Sequence, residues 1–416
     1  MWAFLAALAA AVATRLWLAQ RQIRHVRAHR EAVPATFAEA IPLAAHQKAA
    51  DYTVAKARLG TADILIGAAL TLGLTLGGLI QRISEFWARW LPFETAPLQP
   101  SALLHGTALL LTVFFVQAAV GLPLTVYRTF VVEERFGFNR MTLGLFVADL
   151  AKHAVIGLAL GVPLLIVVLW LMGRAGDGWW LYVWAVWVAF SLAMMMVYPA
   201  FIMPLFNKFT PVAEGELAAR VAALLGRTGF KSSGLYMMDG SKRSSHGNAF
   251  FTGFGAAKRI VLFDTLVNRL QPQEVEPVLA HELGHYKLHH IAKGMALTFG
   301  VSFAVLALLG QLIDKPWFYQ GLGVATPSHA AALALFLLIL PEFLFFLRPL
   351  TSLYSRRREF EADAYATRHA STAELVRALV KLYHDNAATL TPDPLHSAFY
   401  DSHPPAATRI ARLRTA

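Results

Sequence analysis

The sequence predicts an α-helical polytopic membrane protein, and three observations lead there. Of its 416 residues 56% are hydrophobic, and the mean hydropathy is +0.49. Soluble domains are roughly 45–50% apolar. The excess is gathered into seven apolar blocks, each near the length of about 20 residues that a helix needs to cross a bilayer. Between the blocks lie loops rich in Lys and Arg.

The blocks run over residues 1–19, 61–80, 102–127, 145–173, 179–205, 292–313 and 330–348. In the first block the basic residues follow the apolar core. A cleaved signal carries them in front, so this block is read as a retained span. The loops then set the orientation. Arg21, Arg24, Arg27, Arg30, Lys48, Lys56 and Arg58 follow the first block, and Arg128, Arg135 and Arg140 follow the third. Lys208, Arg220, Arg227, Lys231, Lys242, Arg243, Lys258 and Arg259 follow the fifth, and Arg356, Arg357 and Arg358 the seventh. With seven spans all four regions fall on one side. The connections 173–179 and 314–329, on the other side, are short and poor in charge. The expectation is an N-terminus outside, with the long loops and the C-terminus in the cytoplasm. The compact N-terminus and the lack of eukaryotic sorting signals suggest a bacterial inner membrane, with the N-terminus periplasmic.

The formal charge of +11 and pI of 9.9 would raise nucleic-acid binding in a soluble protein. Here the charge lies in juxtamembrane loops, where it orients the chain and meets anionic lipid. No nucleic-acid-binding motif accompanies it. The chain has no cysteine, which excludes disulfides and thiolate metal sites. Any metal must be held by His, Asp or Glu.

Two regions follow: an N-terminal membrane region of five spans, 1–205, and a second unit, 206–416, that includes the last two spans. Residues 206–291 form the largest polar insertion. Helical periodicity covers 214–227. Segments 234–238, 248–254 and 259–263 are rich in β-formers and bounded by turn residues, so they suggest a small sheet. Pro272 then opens a helix expected to run through His290.

That helix carries His281-Glu282-Leu283-Gly284-His285, an H-E-x-x-H motif. Positions i and i+4 share a helix face, so both imidazoles can reach one ion. Glu282 lies beside that face and can take a proton from an activated water. With 15 His and 26 acidic residues in 416, chance would place about 0.03 such motifs in a chain of this composition. A catalytic zinc site needs a third protein ligand and an open position for water. The longer metzincin spacing would require Gly at position 288 and His at 291. Those positions are Leu288 and Ile291, so that class is excluded. His289 continues the i+4 series, but a straight helix rarely brings three successive turns to one ion. It is expected to be solvated or to stand behind a ligand.

The third ligand is then a carboxylate from elsewhere. The best source is Ser355-Arg-Arg-Arg-Glu-Phe-Glu-Ala-Asp363, just after the last span. Glu359 and Asp363 share a helix face and Glu361 points elsewhere. One carboxylate can bind the metal while the other orients an imidazole through its second nitrogen. Glu342, a carboxylate at membrane depth, is the competing ligand. With Asp149, Lys152, His153 and His105 it is costly in lipid and should face protein or water.

Several further segments complete a pattern. They are Val132-Glu-Glu-Arg-Phe-Gly-Phe-Asn139 with Thr142-Leu-Gly-Leu, Tyr198-Pro, and Pro204-Leu-Phe-Asn-Lys-Phe-Thr-Pro211. Gly240-Ser-Lys-Arg-Ser-Ser-His-Gly-Asn-Ala-Phe-Phe-Thr-Gly-Phe254, Lys258-Arg-Ile-Val-Leu-Phe-Asp-Thr265 and Ser402-His-Pro-Pro405 with Arg409 follow. Together with the two metal motifs, these resemble the type I CAAX prenyl endopeptidases, the sterile-mutant-type membrane zinc proteases related to HtpX. Before Tyr127 the likeness is only in the pattern of helices.

The resemblance implies a barrel of seven transmembrane helices around a water-filled chamber. It also implies a small α+β zincin-like metallopeptidase domain on the cytoplasmic side. It implies one Zn2+ per chain held by His281, His285 and Glu359, with Glu282 as general base and Asp363 orienting a ligand. His403 and Arg409 would sit near the oxyanion and the substrate. Asn248, Ala249, Phe250 and Phe251 would form an edge strand that pairs with the substrate backbone. Eukaryotic members cleave the C-terminal tripeptide from prenylated proteins and cut again near the N-terminus of a pheromone precursor.

The expected function is thus membrane zinc endopeptidase, acting as a monomer on a peptide or protein that is prenylated or membrane-associated. One alternative is a quality-control protease with the same chemistry. Another, from a different class, is a transporter or channel with a structural zinc site. In that reading Glu282 has no task, and structural sites prefer four protein ligands.

Overall fold

The computed structural model describes residues 1–91, 100–253 and 258–415. Helices α1 (Trp2–Ala28), α2 (Leu43–Leu74), α3 (Leu79–Ala88), α4 (Pro100–Tyr127), α5 (Leu143–Arg174), α6 (Trp179–Val197) and the short α7 (Met203–Phe206) come first. The polar insertion holds β1 (Phe209–Pro211), α8 (Glu216–Thr228), β2 (Gly234–Met238), β3 (Ala249–Thr252), β4 (Arg259–Phe263), α9 (Asp264–Val267) and α10 (Pro272–Lys287). The chain returns to the apolar region through α11 (His290–Leu312), α12 (Pro316–Gln320) and α13 (His329–Leu344). It leaves along α14 (Arg348–His369), α15 (Thr372–Asp385), α16 (Pro394–Tyr400) and α17 (Ala406–Thr415).

Seven stretches among the described residues are long and apolar enough to cross a membrane. Their outer faces carry large apolar side chains left bare by the protein, such as Phe115 at 71% and Val155 at 67% exposure. Lipid covers such a face. The inner faces of α1, α4, α5, α6, α11 and α13 pack into one core around Leu109, Leu110, Leu309 and Leu335.

Two boundaries differ from expectation. The second span begins at Leu43 and ends at Leu74, and the chain then turns before α3. Gly78 makes that turn with φ of 71°, a left-handed conformation that favours glycine. The apolar block 61–80 runs straight across it, because hydropathy does not register a turn with apolar flanks. The helix that carries H-E-x-x-H ends at Lys287 and does not run through His290. His289 takes φ of 57°, and α11 starts anew at His290.

The charged and imidazole groups at membrane depth are partnered, as their cost in lipid demands. Asp149 is held by Arg243 at 2.7 and 3.0 Å, and Lys152 donates to the Leu205 carbonyl at 2.8 Å. His153 meets the Asp149 carbonyl at 2.6 Å, and His105 meets the Ser84 carbonyl at 2.9 Å. Glu342 pairs with Arg15 at 3.1 Å. A cavity of about 920 Å3 opens between α1, α2, α13 and the C-terminal segment 388–406. Arg15, Lys56, Asp63, Glu342 and His403 line it, together with apolar side chains such as Ile64, Ala68 and Pro341.

The small sheet has the order β1-β2-β4-β3. Strands β2 and β4 run parallel, with Tyr236 opposite Val261, and β3 lies antiparallel to β4 with Phe250 opposite Val261. Strand β3 is therefore an edge. Helices α8, α10 and α15 cover the sheet, burying Leu224, Ile260, Leu262, Leu279 and Leu375. The Val132–Asn139 motif ties the segment ahead of β3 to the membrane region. Phe138 stacks on His246 at 4.3 Å, and Glu133 accepts a hydrogen bond from Tyr52 at 2.6 Å.

Candidate metal centre

Helix α10 is started by Pro272, whose missing N–H costs nothing at the first helical position. The Gln271 N–H donates to the Glu274 carboxylate at 2.8 Å and fixes that end. Leu279, Ala280 and Leu283 face the core and are fully buried. The helix therefore cannot rotate, and His281 and His285 are left on the face opposite α14. Gly284 sets the separation. A Cβ there would lie 3.1 Å from the Ala362 Cα and 3.1 Å from the Tyr365 Cβ. The helices touch because position 284 lacks a side chain.

That contact brings the candidate ligands together. His281, His285 and Glu359 each offer one atom within 4.8 Å of the others. The two Nε2 atoms stand 3.2 Å apart, and Glu359 reaches them at 3.4 and 3.3 Å. Glu359 is 5% exposed, and its buried Oε2 accepts no hydrogen bond. A buried carboxylate oxygen without a donor is costly. Two imidazole nitrogens and one carboxylate oxygen converging on one point are a donor set that fits a divalent metal.

The back of His281 is built from charge. Its Nδ1 lies 2.8 Å from Asp363 Oδ1. Burial pulls the His281 pKa down, but Asp363 and Glu359 outweigh it, and the imidazole is raised above its ordinary value. Arg409 is itself buried and clamps Asp363 in two contacts, Nε to Oδ2 at 2.7 Å and Nη2 to Oδ1 at 2.6 Å. Its Nη1 lies 3.9 Å from Glu359 Oε2. The guanidinium expected near the substrate thus stands behind the cluster, with its forked face occupied by Asp363.

The remaining residues fall on the open side. Glu282 is half-buried and makes no hydrogen bond or ion pair among the described residues. The exposed His403 points its Nε2 to within 3.6 Å of Glu359 Oε1 and lines the cavity. Its Nδ1 faces the Ser402 hydroxyl at 3.1 Å. Ala249, Phe250 and Phe251 lie in the edge strand, and the exposed Asn248 precedes it. Phe254, at the end of the expected strand, lies outside the described residues. Glu342 takes no part, being paired with Arg15.

One contact lies outside the sequence expectation, that of His290 with His285 and Glu361. His290 is buried, with Nδ1 3.0 Å from His285 Nδ1, and its Nε2 meets Glu361 Oε2 at 3.1 Å. A histidine five residues beyond the motif was the available signal. It is off-face on a continuous helix, and only the break at His289 brings it back.

Comparison with known proteins gives the family. Residues 22–208 match the family described as CAAX prenyl protease N-terminal, five membrane helices. Residues 211–416 match peptidase family M48. The chain is 37% identical over 310 residues to CAAX prenyl protease 1 of Saccharomyces cerevisiae, covering 71% of this chain and 68% of that one. It is 34% identical over 346 residues to the CAAX prenyl protease 1 homolog of Homo sapiens, covering 74% and 73%. The crystal structure of S. mikatae Ste24p superposes with a TM-score of 0.89 at 31% identity, over 99% of this chain and 97% of that one. With the candidate ligand cluster and the seven spans in place, the chain belongs to peptidase family M48, as an integral membrane metalloendopeptidase of the CAAX prenyl protease type.

Proposed function

We propose that the metal is a single Zn2+ held by His281, His285 and Glu359, and that the substrate is a prenylated or membrane-associated peptide drawn from the chamber. The observation that carries this reading is the convergence of His281 Nε2, His285 Nε2 and the Glu359 carboxylate, whose buried Oε2 has no hydrogen-bond donor. Zinc bound there would polarise the scissile carbonyl and lower the pKa of a water.

The chain's own groups supply the rest. Glu282 has a carboxylate with no competing partner among the described residues, so it is free to accept the proton of the attacking water. It then hands that proton to the leaving amide nitrogen. The Ser402 hydroxyl can donate to His403 Nδ1. His403 Nε2–H is then directed at the oxyanion that develops beside Glu359. Asp363 holds the proton on His281 Nδ1 and so leaves Nε2 as a lone pair. We assign Arg409 to holding Asp363 rather than to touching substrate. The open edge of β3, following Asn248, offers backbone groups to an extended substrate.

The proposal extends to organisation. The working division is 1–205 for the membrane region and 206–416 for the peptidase unit, in a chain read as a monomer. The basic loops support an N-terminus outside and a peptidase unit and C-terminus in the cytoplasm. The expected bacterial inner membrane finds no support among the relatives named, which are eukaryotic.

Glu282→Gln tests the reading. The variant should keep zinc, because no ligand changes, and lose peptide hydrolysis. Full activity in a zinc-loaded Glu282→Gln protein rejects it.

A further inference from the structure

We propose that His290 and Glu361 form a proton-fixing relay that holds His285 in the one tautomer able to bind metal. This rests on the zinc reading above. His285 Nδ1 faces His290 Nδ1 at 3.0 Å, and His290 Nε2 faces Glu361 Oε2 at 3.1 Å. The rings cross at 71° with centroids 5.1 Å apart, so the pair is edge-on and not stacked.

The direction of the relay follows from what each atom can do. An ionised carboxylate only accepts, so His290 Nε2 must carry a proton. A neutral imidazole has one N–H, which leaves His290 Nδ1 as an acceptor. His285 must then donate from Nδ1, and its Nε2 is left with a lone pair facing His281 Nε2 and Glu359. Every other neutral arrangement sets two lone pairs or two N–H groups against each other at one of the contacts. Glu361 thus selects the His290 tautomer, and His290 selects that of His285.

The break at His289 makes this possible. With φ of 57° there, α11 starts at His290 and brings its ring onto His285. Glu361 is steadied by Arg357 one turn away, at 3.1 Å. On the other histidine the same task falls to Asp363, directly at 2.8 Å. Helix α14 therefore supplies one candidate ligand, Glu359, and ends both orienting chains.

The test is zinc affinity of the full-length protein in detergent, by competition with a chromophoric chelator. His290→Ala should bind zinc about 10–100-fold more weakly, the usual loss for a group that orients a metal-binding imidazole. Glu361→Ala should weaken binding in the same direction. Glu361→Gln should stay close to the parent, since its amide oxygen can still accept from His290 Nε2–H. The Glu361 side chain is 39% exposed, so its variants should fold even where His290→Ala does not. The unfolding temperature of the metal-free proteins separates a structural effect from one on the metal. Unchanged zinc affinity in Glu361→Ala, or equal loss in the Ala and Gln variants, overturns the relay and leaves the zinc reading standing. A parent chain that binds no zinc in the same titration overturns the zinc reading itself.

Discussion

Gly284 lies so close to Ala362 that a Cβ would approach its Cα to 3.1 Å and its carbonyl oxygen to 3.2 Å. The two residues lie on different helices, and their contact is what places Glu359 beside His281 and His285. The third and fourth residues of the H-E-x-x-H motif are therefore not spacers here. Leu283 is fully buried in the core, and Gly284 admits the helix that brings the third ligand.

Gly284→Ala should force α14 outward by a few tenths of an ångström. Overpacking of this kind costs about 1–3 kcal/mol, and Gly284→Leu should be worse. Both variants should lose zinc as well as thermal stability, because Glu359 retreats with its helix. Thermal unfolding in detergent with zinc analysis checks this. A Gly284→Leu protein with full zinc content would show that the helix contact does not set the site.

Asp363 and Arg409 should behave as a coupled pair. Removing one partner of a buried ion pair typically costs about 3–5 kcal/mol, because the other charge is left uncompensated. Asp363→Ala should therefore be unstable and should also bind zinc weakly, since His281 Nδ1 loses its acceptor. Adding Arg409→Met removes the stranded charge and should restore stability without restoring zinc affinity. Unfolding temperature and chelator competition on the single and double variants separate the two roles.

The separation between legible and illegible features follows from range. His281, Glu282 and His285 were legible because the spacing i, i+4 is itself the geometry. Glu359 and Asp363 were legible for the same reason, and Glu361 was read as off-face, which is why it reaches a different imidazole. The spans could be read from composition, but not the turn at Gly78 inside the second apolar block. The relay was hidden because it depends on one left-handed non-glycine residue, His289, that no local pattern marks. Arg409 was visible as part of a motif, yet its partner lies 46 residues away, and only the fold shows which side of the cluster it occupies.

His403→Ala should lower turnover about 10²–10³-fold, the usual loss for one oxyanion donor. Zinc content should not change, since Nε2 stands 3.6 Å from Glu359 and outside the three-residue cluster. Ser402→Ala should have a smaller effect in the same direction by releasing the ring. Steady-state kinetics with zinc analysis tests both, and loss of zinc in His403→Ala would make this residue a ligand.

The orientation should follow the basic loops. Reporters fused after residue 416, or inserted in the polar region between α8 and β2, should report a cytoplasmic location, and one at the N-terminus the opposite side. A C-terminal reporter active only outside the cytoplasm contradicts the proposed topology without touching the chemistry.

The most direct measurement is anomalous diffraction at the zinc edge from crystals of the Glu282→Gln protein. One zinc per chain should appear, with a nitrogen of His281 and of His285 at about 2.0–2.1 Å and a Glu359 oxygen at about 2.0–2.2 Å. A zinc coordinated by Glu342, Glu361 or His290, or a cluster of His281, His285 and Glu359 that binds no metal, would contradict the account.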